Sequence, residues 1–260
     1  MISYNGIDLK IARAREHFAN LDKQIRDFIK ANPYPVQREY DSVSKENIFR
    51  VTEDPKELPA ELGIVVGEMA YNFRSALDIL VNHLIEVNGK PITKTTAFPI
   101  FDQTSKWDSN YASKLSGLNS VQIDIIKREQ PCFAKNYDGR GRFLGYLEDI
   151  CNGDKHRKVT LVSAGMDGYG ITYTPIKISH DQVTSHLGSV KKGTILLRVK
   201  GPDADIGFGI FPGVAFGNEG PAAGILFSEF YHTINYVVPE IIVKLGGKID
   251  SPPSTATKSS

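Results

Sequence analysis

Asn152-Gly153-Asp154-Lys155-His156-Arg157 is the densest cluster of reactive side chains in the chain. A histidine beside a carboxylate can take and give a proton near neutral pH, because an unperturbed imidazole titrates close by. His156 is therefore the candidate general acid or base, and Asp154 its orienting partner. Lys155 and Arg157 have the charge and donors to hold a phosphate. A structural explanation competes with this one. Basic groups just beyond a helix C-terminus complement the negative end of its dipole. That accounts for Lys155 and Arg157 but makes no special demand for Asp154 or His156.

Such a cluster needs a second wall, and the stretch from Leu62 to Asn88 offers one. It is the longest uninterrupted helical pattern in the sequence. Val66, Met69, Phe73, Ala76, Leu77, Leu80 and Leu84 recur at steps of three and four and make one broad apolar face. Pro59 precedes the helix, and Gly89 and Pro91 stop it. Glu68, Asn72 and His83 gather on one flank, close to Ile79. Arg74 and Asp78, spaced i,i+4, can pair on the other. Asparagine is a poor helix former, so Asn72 in mid-helix calls for a reason, either a solvated stripe or the edge of a cleft. The expectation is that this helix and the Asp154–Arg157 cluster meet. Glu68 and Asn72 then complete a cleft wall, and Arg74 becomes a third phosphate ligand.

The remaining elements follow in order. Ile7 to Ala31 reads as a long amphipathic helix with Ile11, Phe18, Leu21, Ile25, Phe28 and Ile29 on one face and Arg13 and His17 at its edge. Tyr40 to Thr52 has the composition of a hairpin, with a turn over Ser42 to Lys45. Thr96 to Phe101 is an extended, proline-bearing segment suited to an edge or a packed loop. Short helices are expected within Lys106 to Gly117, over Ser120 to Glu129 with Ser120 as its cap, and over Phe143 to Cys151. That last helix delivers the chain to the Asp154 cluster as a turn. From Val159 to Phe216 the composition becomes strand-like, and a small antiparallel sheet is expected there. Tyr231 to Leu245 is helical in pattern, with Pro239 expected to kink or break it.

A chain of 260 residues can bury a real core, and its net charge of +1 argues against a broad basic face for nucleic acid while leaving room for a local basic patch. Two cysteines, Cys132 and Cys151, give neither a disulfide framework nor a zinc signature, so a reduced, cytoplasmic protein is expected. The N-terminal sequence lacks the pattern of a signal peptide, and no apolar run reaches membrane-spanning length. Gly139-Arg140-Gly141 is not a Walker loop, and no metalloprotease or serine-hydrolase motif is present. Nothing calls for a cofactor or a metal. RNA or a nucleotide stays open as ligand, and a second copy of the chain stays open as partner.

Gly67-Glu68, Asn72-Phe73-Arg74-Ser75-Ala76-Leu77-Asp78, Phe98-Pro99-Ile100, Gln130-Pro131 and Asn152-x-Asp154-Lys155-His156-Arg157 occur in this order, preceded by Arg13-Ala14-Arg15-x-His17. Together they resemble an uncharacterised family of bacterial and phage proteins with an N-x-R-S-A-L-D helix and an N-x-D-K-H-R turn. The resemblance covers the first 160 residues or so and implies no established activity. The long helices also look like the HEPN class of helical domains, many of which are RNases of toxin and defence systems. Nucleases of that class carry an arginine and a histidine on one helix with four to six residues between them. Here Arg74 and His83 lie too far apart for that motif, and Arg13 and His17 slightly too close.

The expected fold is α+β. Residues 1–157 form an antiparallel, HEPN-like helical core with a hairpin near residues 40–52. Residues 158–250 form the small antiparallel sheet and a closing C-terminal helix packed on it in one compact domain, and residues 251–260 a disordered tail. Two functions are carried forward. One is a non-catalytic binding or regulatory protein of bacterial or phage origin, acting in phage–host conflict, in which Arg74–Asp78 and Asp154–Arg157 are structural ion pairs. The other is a HEPN-like RNase or nucleotide-acting enzyme in which His156 and Asp154 do acid–base work, and Lys155, Arg157 and Arg74 bind phosphate between Glu68 and Asn72.

Overall fold

The computed structural model describes residues 5–136, 140–156, 159–173, 177–186, 190–217 and 222–247, with the side chains of residues 5, 136, 155–156, 164–173 and 208–212 left out. The tail expected at residues 251–260 lies outside the described residues. The chain is α+β. Helix α1 (Asn5–Ala31) leads to strands β1 (Val36–Asp41) and β2 (Glu46–Val51), followed by helices α2 (Glu61–Val87), α3 (Thr104–Lys114), α4 (Ser120–Arg128) and α5 (Arg142–His156). Strands β3 (Leu161–Tyr173), β4 (Val183–Ser185), β5 (Ile195–Lys200) and β6 (Gly207–Phe216) come next, and helix α6 (Phe227–Lys244) closes the described chain.

Local chemistry sets the helix ends. Beyond α2, Gly89 takes φ 68°, a conformation that costs glycine nothing. Its N–H bonds the Glu86 carbonyl, and the Lys90 N–H reaches back to Ile85 at 3.1 Å, the paired bonds of a Schellman stop. Helix α4 is capped by Asn119 rather than Ser120. The Asn119 side chain accepts from the Gln122 N–H, and the Gln122 side chain returns the bond to the Asn119 N–H. Helix α6 runs through Pro239 without a break. The missing N–H leaves the Asn235 carbonyl without its helical donor, yet Ile234, Val237, Val238, Ile241 and Ile242 are all buried, so side-chain packing outweighs that loss.

Helix α5 extends farther than its apolar pattern suggests and ends at His156. Asp154, Lys155 and His156 therefore belong to its last turn and not to a loop after it. The hairpin, too, has a larger role than expected. β1 and β2 pair antiparallel, and β2 continues onto β5 and then β4, giving a four-stranded antiparallel sheet in the order β1-β2-β5-β4. An isolated hairpin is marginal in water, whereas β2 in this sheet buries Asn47, Ile48, Phe49 and Val51. β3 and β6 form a separate antiparallel pair.

The described residues fall into two compact units. The first is drawn from Met1–Phe18, Gly67–Lys155 and His232–Ser260, the second from Ala19–Val66 and His156–Tyr231. In the first unit, α1 and α2 run antiparallel: Gly6 lies beside Ile79, Lys10 sits over the Tyr71 ring and His17 faces Glu68. The apolar face of α2 is its centre, with Met69, Phe73, Ala76, Leu77 and Leu80 fully buried. In the second unit, Phe49, Leu197, Val199 and Ile206 make one core cluster, and Tyr34, Val51, Val190 and Leu196 another.

Candidate functional site

Two contacts fix α5 along one flank of α2. Arg74 Nε donates to Glu148 Oε2 at 3.0 Å. Seven residues earlier on α2, Gly67 is so close to the Asp154 carboxylate that a Cβ added there would stand 2.2 Å from Oδ1. Residue numbers rise along α5 as they fall along α2, so the helices are antiparallel. Gly67, Arg74 and Asp78 share this flank by helical spacing. The absence of a side chain at Gly67 is what admits Asp154.

Arg74 is the hub of this flank. Besides Glu148, its Nη1 donates to Asp78 Oδ1 at 2.7 Å and its Nη2 to the Phe98 carbonyl at 2.7 Å. Asp78 Oδ1 also accepts the Phe98 N–H at 2.8 Å. One residue on, Gln130 takes over. Its Nε2 donates to the Pro99 carbonyl and its Oε1 accepts the Phe101 N–H, at 2.9 and 3.0 Å. The Phe101 carbonyl accepts the Cys132 N–H at 3.0 Å. The segment Phe98–Phe101 pairs with no strand, so its backbone groups depend on these side chains, because buried peptide groups must find partners. Gln130 is 0% exposed and Phe98 0%. The motifs Asn72–Asp78, Phe98–Ile100 and Gln130–Pro131 thus converge on one clamped segment.

The polar residues on the other flank have separate partners. His17 Nδ1 lies 3.6 Å from Glu68 Oε2, with His17 mostly covered and Glu68 half exposed. Asn72 is buried at 8% exposure and turns its Nδ2 to the Glu68 carbonyl, 2.8 Å away. That back-bond to the preceding turn is how an asparagine is accommodated in mid-helix. Arg13 pairs with Glu16 and not with His17. Of the candidate residues, Glu68, Asn72, Arg74 and Asp154 therefore gather along α2, each already in contact within the first unit. Arg157 and the side chains of Lys155 and His156 lie outside the described residues. Among the described residues, no group of three or more His, Cys, Asp or Glu could hold a metal, and no helix is long and apolar enough to cross a membrane.

A cleft of about 370 Å³ lies elsewhere, within the second unit, and none of these candidates lines it. Its walls are the loop from Pro55 to Ala60 with Gly63 in the first turn of α2, the segment Val159–Ser163 that leads into β3, and Val190. The loop is held at both ends. Asp54 Oδ1 accepts the Lys192 N–H at 2.7 Å, and Gly63 packs so tightly on the Val159 carbonyl that a Cβ would stand 2.0 Å from its oxygen. Below the cleft, buried Tyr34 hydrogen-bonds the Ser163 side chain; burial pushes its hydroxyl up from the ordinary tyrosine value. This cleft is carried by backbone shape and two glycine and proline features, and the only trace of it in the sequence is the Pro55–Pro59 spacing before the helix. Glu148 and Gln130 escaped sequence reasoning for a different reason: they act over long sequence separations, and no local periodicity marks them.

Compared with known proteins, the chain matches no family model, no curated protein and no solved structure.

Proposed function

We propose that this chain is a non-catalytic binding protein of bacterial or phage origin whose ligand site is the cleft between the Pro55–Gly63 segment and β3. The observation that carries the reading is the engagement of Arg74. The cation best placed on α2 to bind phosphate already serves Glu148, Asp78 and the Phe98 carbonyl, and so acts as scaffold. Small-ligand and peptide sites are concave, and this cleft is concave and lined by both apolar and polar residues. Cys132 and Cys151 are not joined in a disulfide, which supports the reading of a reducing, cytoplasmic setting.

A second reading is favoured by one specific observation. His17 Nδ1 lies 3.6 Å from Glu68 Oε2, while Asp154 packs on Gly67 on a different flank of the same turn of α2, and a histidine beside a carboxylate is acid–base chemistry in outline. In that reading the protein is a HEPN-like nuclease or nucleotide-acting enzyme, with Asp154 and His156 as its acid–base pair. One experiment separates the two. The parent and Asp154→Asn are incubated with RNA oligonucleotides and with nucleoside mono-, di- and triphosphates, and both are melted. The binding reading expects no turnover that depends on Asp154. Turnover by the parent that falls at least about 100-fold in a variant of unchanged thermal midpoint would overturn it.

A further inference from the structure

Among the described residues, the cleft contains a strand edge that is open at one residue, Leu161. β3 and β6 pair with Leu161 opposite Phe216 and Val162 opposite Ala215. The Gly217 N–H bonds the Thr160 carbonyl at 2.8 Å, while the Phe216 N–H and carbonyl turn the other way, to Ile225 and Gly224. Leu161 and Phe216 are therefore a non-hydrogen-bonded pair, in which both residues point their peptide groups away from each other. The N–H and carbonyl of Leu161 face the outer edge of β3, where Leu161 lines the cleft. The next outward-facing residue, Ser163, has its carbonyl bonded by the Val190 N–H at 3.2 Å. The previous one, Val159, rests its carbonyl on Gly63. Between them, Leu161 has no hydrogen-bond partner among the described residues, although it is only 8% exposed. A peptide group left without a protein partner in the wall of a cleft directs what can occupy the space.

We propose that the cleft receives an extended peptide segment of a partner protein, which adds to the edge of β3 by exchanging backbone hydrogen bonds with Leu161. The proposal rests on the reading of the cleft as the ligand site and deepens it. The opening between Gly63 at Val159 and Val190 at Ser163 spans about 13 Å of extended chain, room for roughly four peptide residues. The opposing loop offers no competing strand, because Pro55 and Pro59 have no N–H to give. Leu58 and buried Val190 supply apolar walls, so the peptide presents an apolar side chain between them, and exposed Lys56 and Glu57 stand at the rim. Main-chain pairing supplies affinity and the alternate side-chain pockets supply selectivity, as in other strand-addition sites.

The test uses random linear peptides displayed on phage and selected on the immobilised full chain, followed by synthesis of the recovered sequences. Backbone N-methylation of one bound residue is expected to weaken binding about tenfold or more, while methylation of its neighbours, whose amides point away, is tolerated. Leu58→Arg fills the cleft from the loop without altering the strand, and is expected to lose binding by a similar factor with an unchanged thermal midpoint. Peptides that bind Leu58→Arg as well as the parent, or that tolerate N-methylation everywhere, overturn the proposal. So does a concentration-dependent dimer abolished by Leu58→Arg, which makes a second copy the occupant. If no peptide is recovered but a soaked fragment library shifts the amide resonances of Leu161, Ser163 and Val190, the peptide proposal falls and the cleft remains a ligand site. If neither occurs, both fall.

Discussion

Arg74→Ala removes three donors at once and leaves Glu148, Asp78 and the Phe98 carbonyl without them. The Arg74 side chain is 15% exposed, and its carboxylate partners retain about a third of their surface. The expected loss is therefore near the lower end for a broken buried pair, about 3 kcal/mol, read from urea midpoints. Arg74→Lys is expected to recover little of it, because one ammonium cannot reach three partners that a planar guanidinium serves together. A lysine variant with the parent's midpoint would show that the clamp on Phe98–Phe101 is not held by this residue. Tyr34 gives the pH dependence. Its folded hydroxyl is held above the ordinary value of 10.0 by burial, with the Ser163 hydrogen bond opposing. The unfolded chain then releases this proton at lower pH than the folded one, so stability falls as pH rises through about 10 and beyond. Tyr34→Phe should be the less stable protein near neutrality, for want of the Ser163 bond, and should show a shallower decline of melting temperature above pH 9. Parallel declines in the two proteins would contradict the assignment.

Two glycines on α2 are expected to behave in opposite ways. In a helix, alanine is favoured over glycine by about 1 kcal/mol. At Gly63 a new Cβ meets the Val159 backbone oxygen, which can give way only if the main chain moves, so Gly63→Ala is expected to lower stability by about 1–3 kcal/mol despite its better propensity. At Gly67 the Cβ meets only the end of the Asp154 side chain. Gly67→Ala should cost less, and Asp154→Ala in that background should restore it. Equal melting temperatures for the two alanine variants would sink this distinction. These helices were legible because periodicity is local. The apolar face of α2, its Gly89 stop, the α1 amphipathic stripe and the hairpin turn each announce themselves within one window of sequence. The Arg74–Asp78 pair was legible for the same reason. The other two partners of Arg74, the service of Gln130 to Phe98–Phe101 and the union of the hairpin with β5 were not, since each joins residues far apart in the chain. Helix α5 overran its expected end because Asn152, Gly153 and Asp154 are poor helix formers locally, while Asn152 bonds Glu148 and Asp154 docks on Gly67.

At the scale of the whole molecule, the motif residues of α2, Phe98–Phe101 and Gln130 are spent on holding the first unit together, and the open strand edge lies within the second. Leu80→Ala, at the fully buried centre of the α2 face, is expected to cost about 2–5 kcal/mol by thermal melting, and an unchanged midpoint would mean the core lies elsewhere. Stability and ligand binding should therefore be separable: Arg74→Lys lowers the melting temperature, whereas Leu58→Arg leaves it alone and removes binding. Whether the Leu161 edge is open is tested most directly by amide hydrogen exchange resolved to single residues on the unliganded chain. Val162, whose N–H lies in the ladder to Ala215, should be protected, and Leu161 beside it should exchange at least about tenfold faster for want of a hydrogen bond. Leu161 as strongly protected as Val162 would mean that its N–H is already satisfied, and the cleft would lose the feature that makes it a strand-addition site.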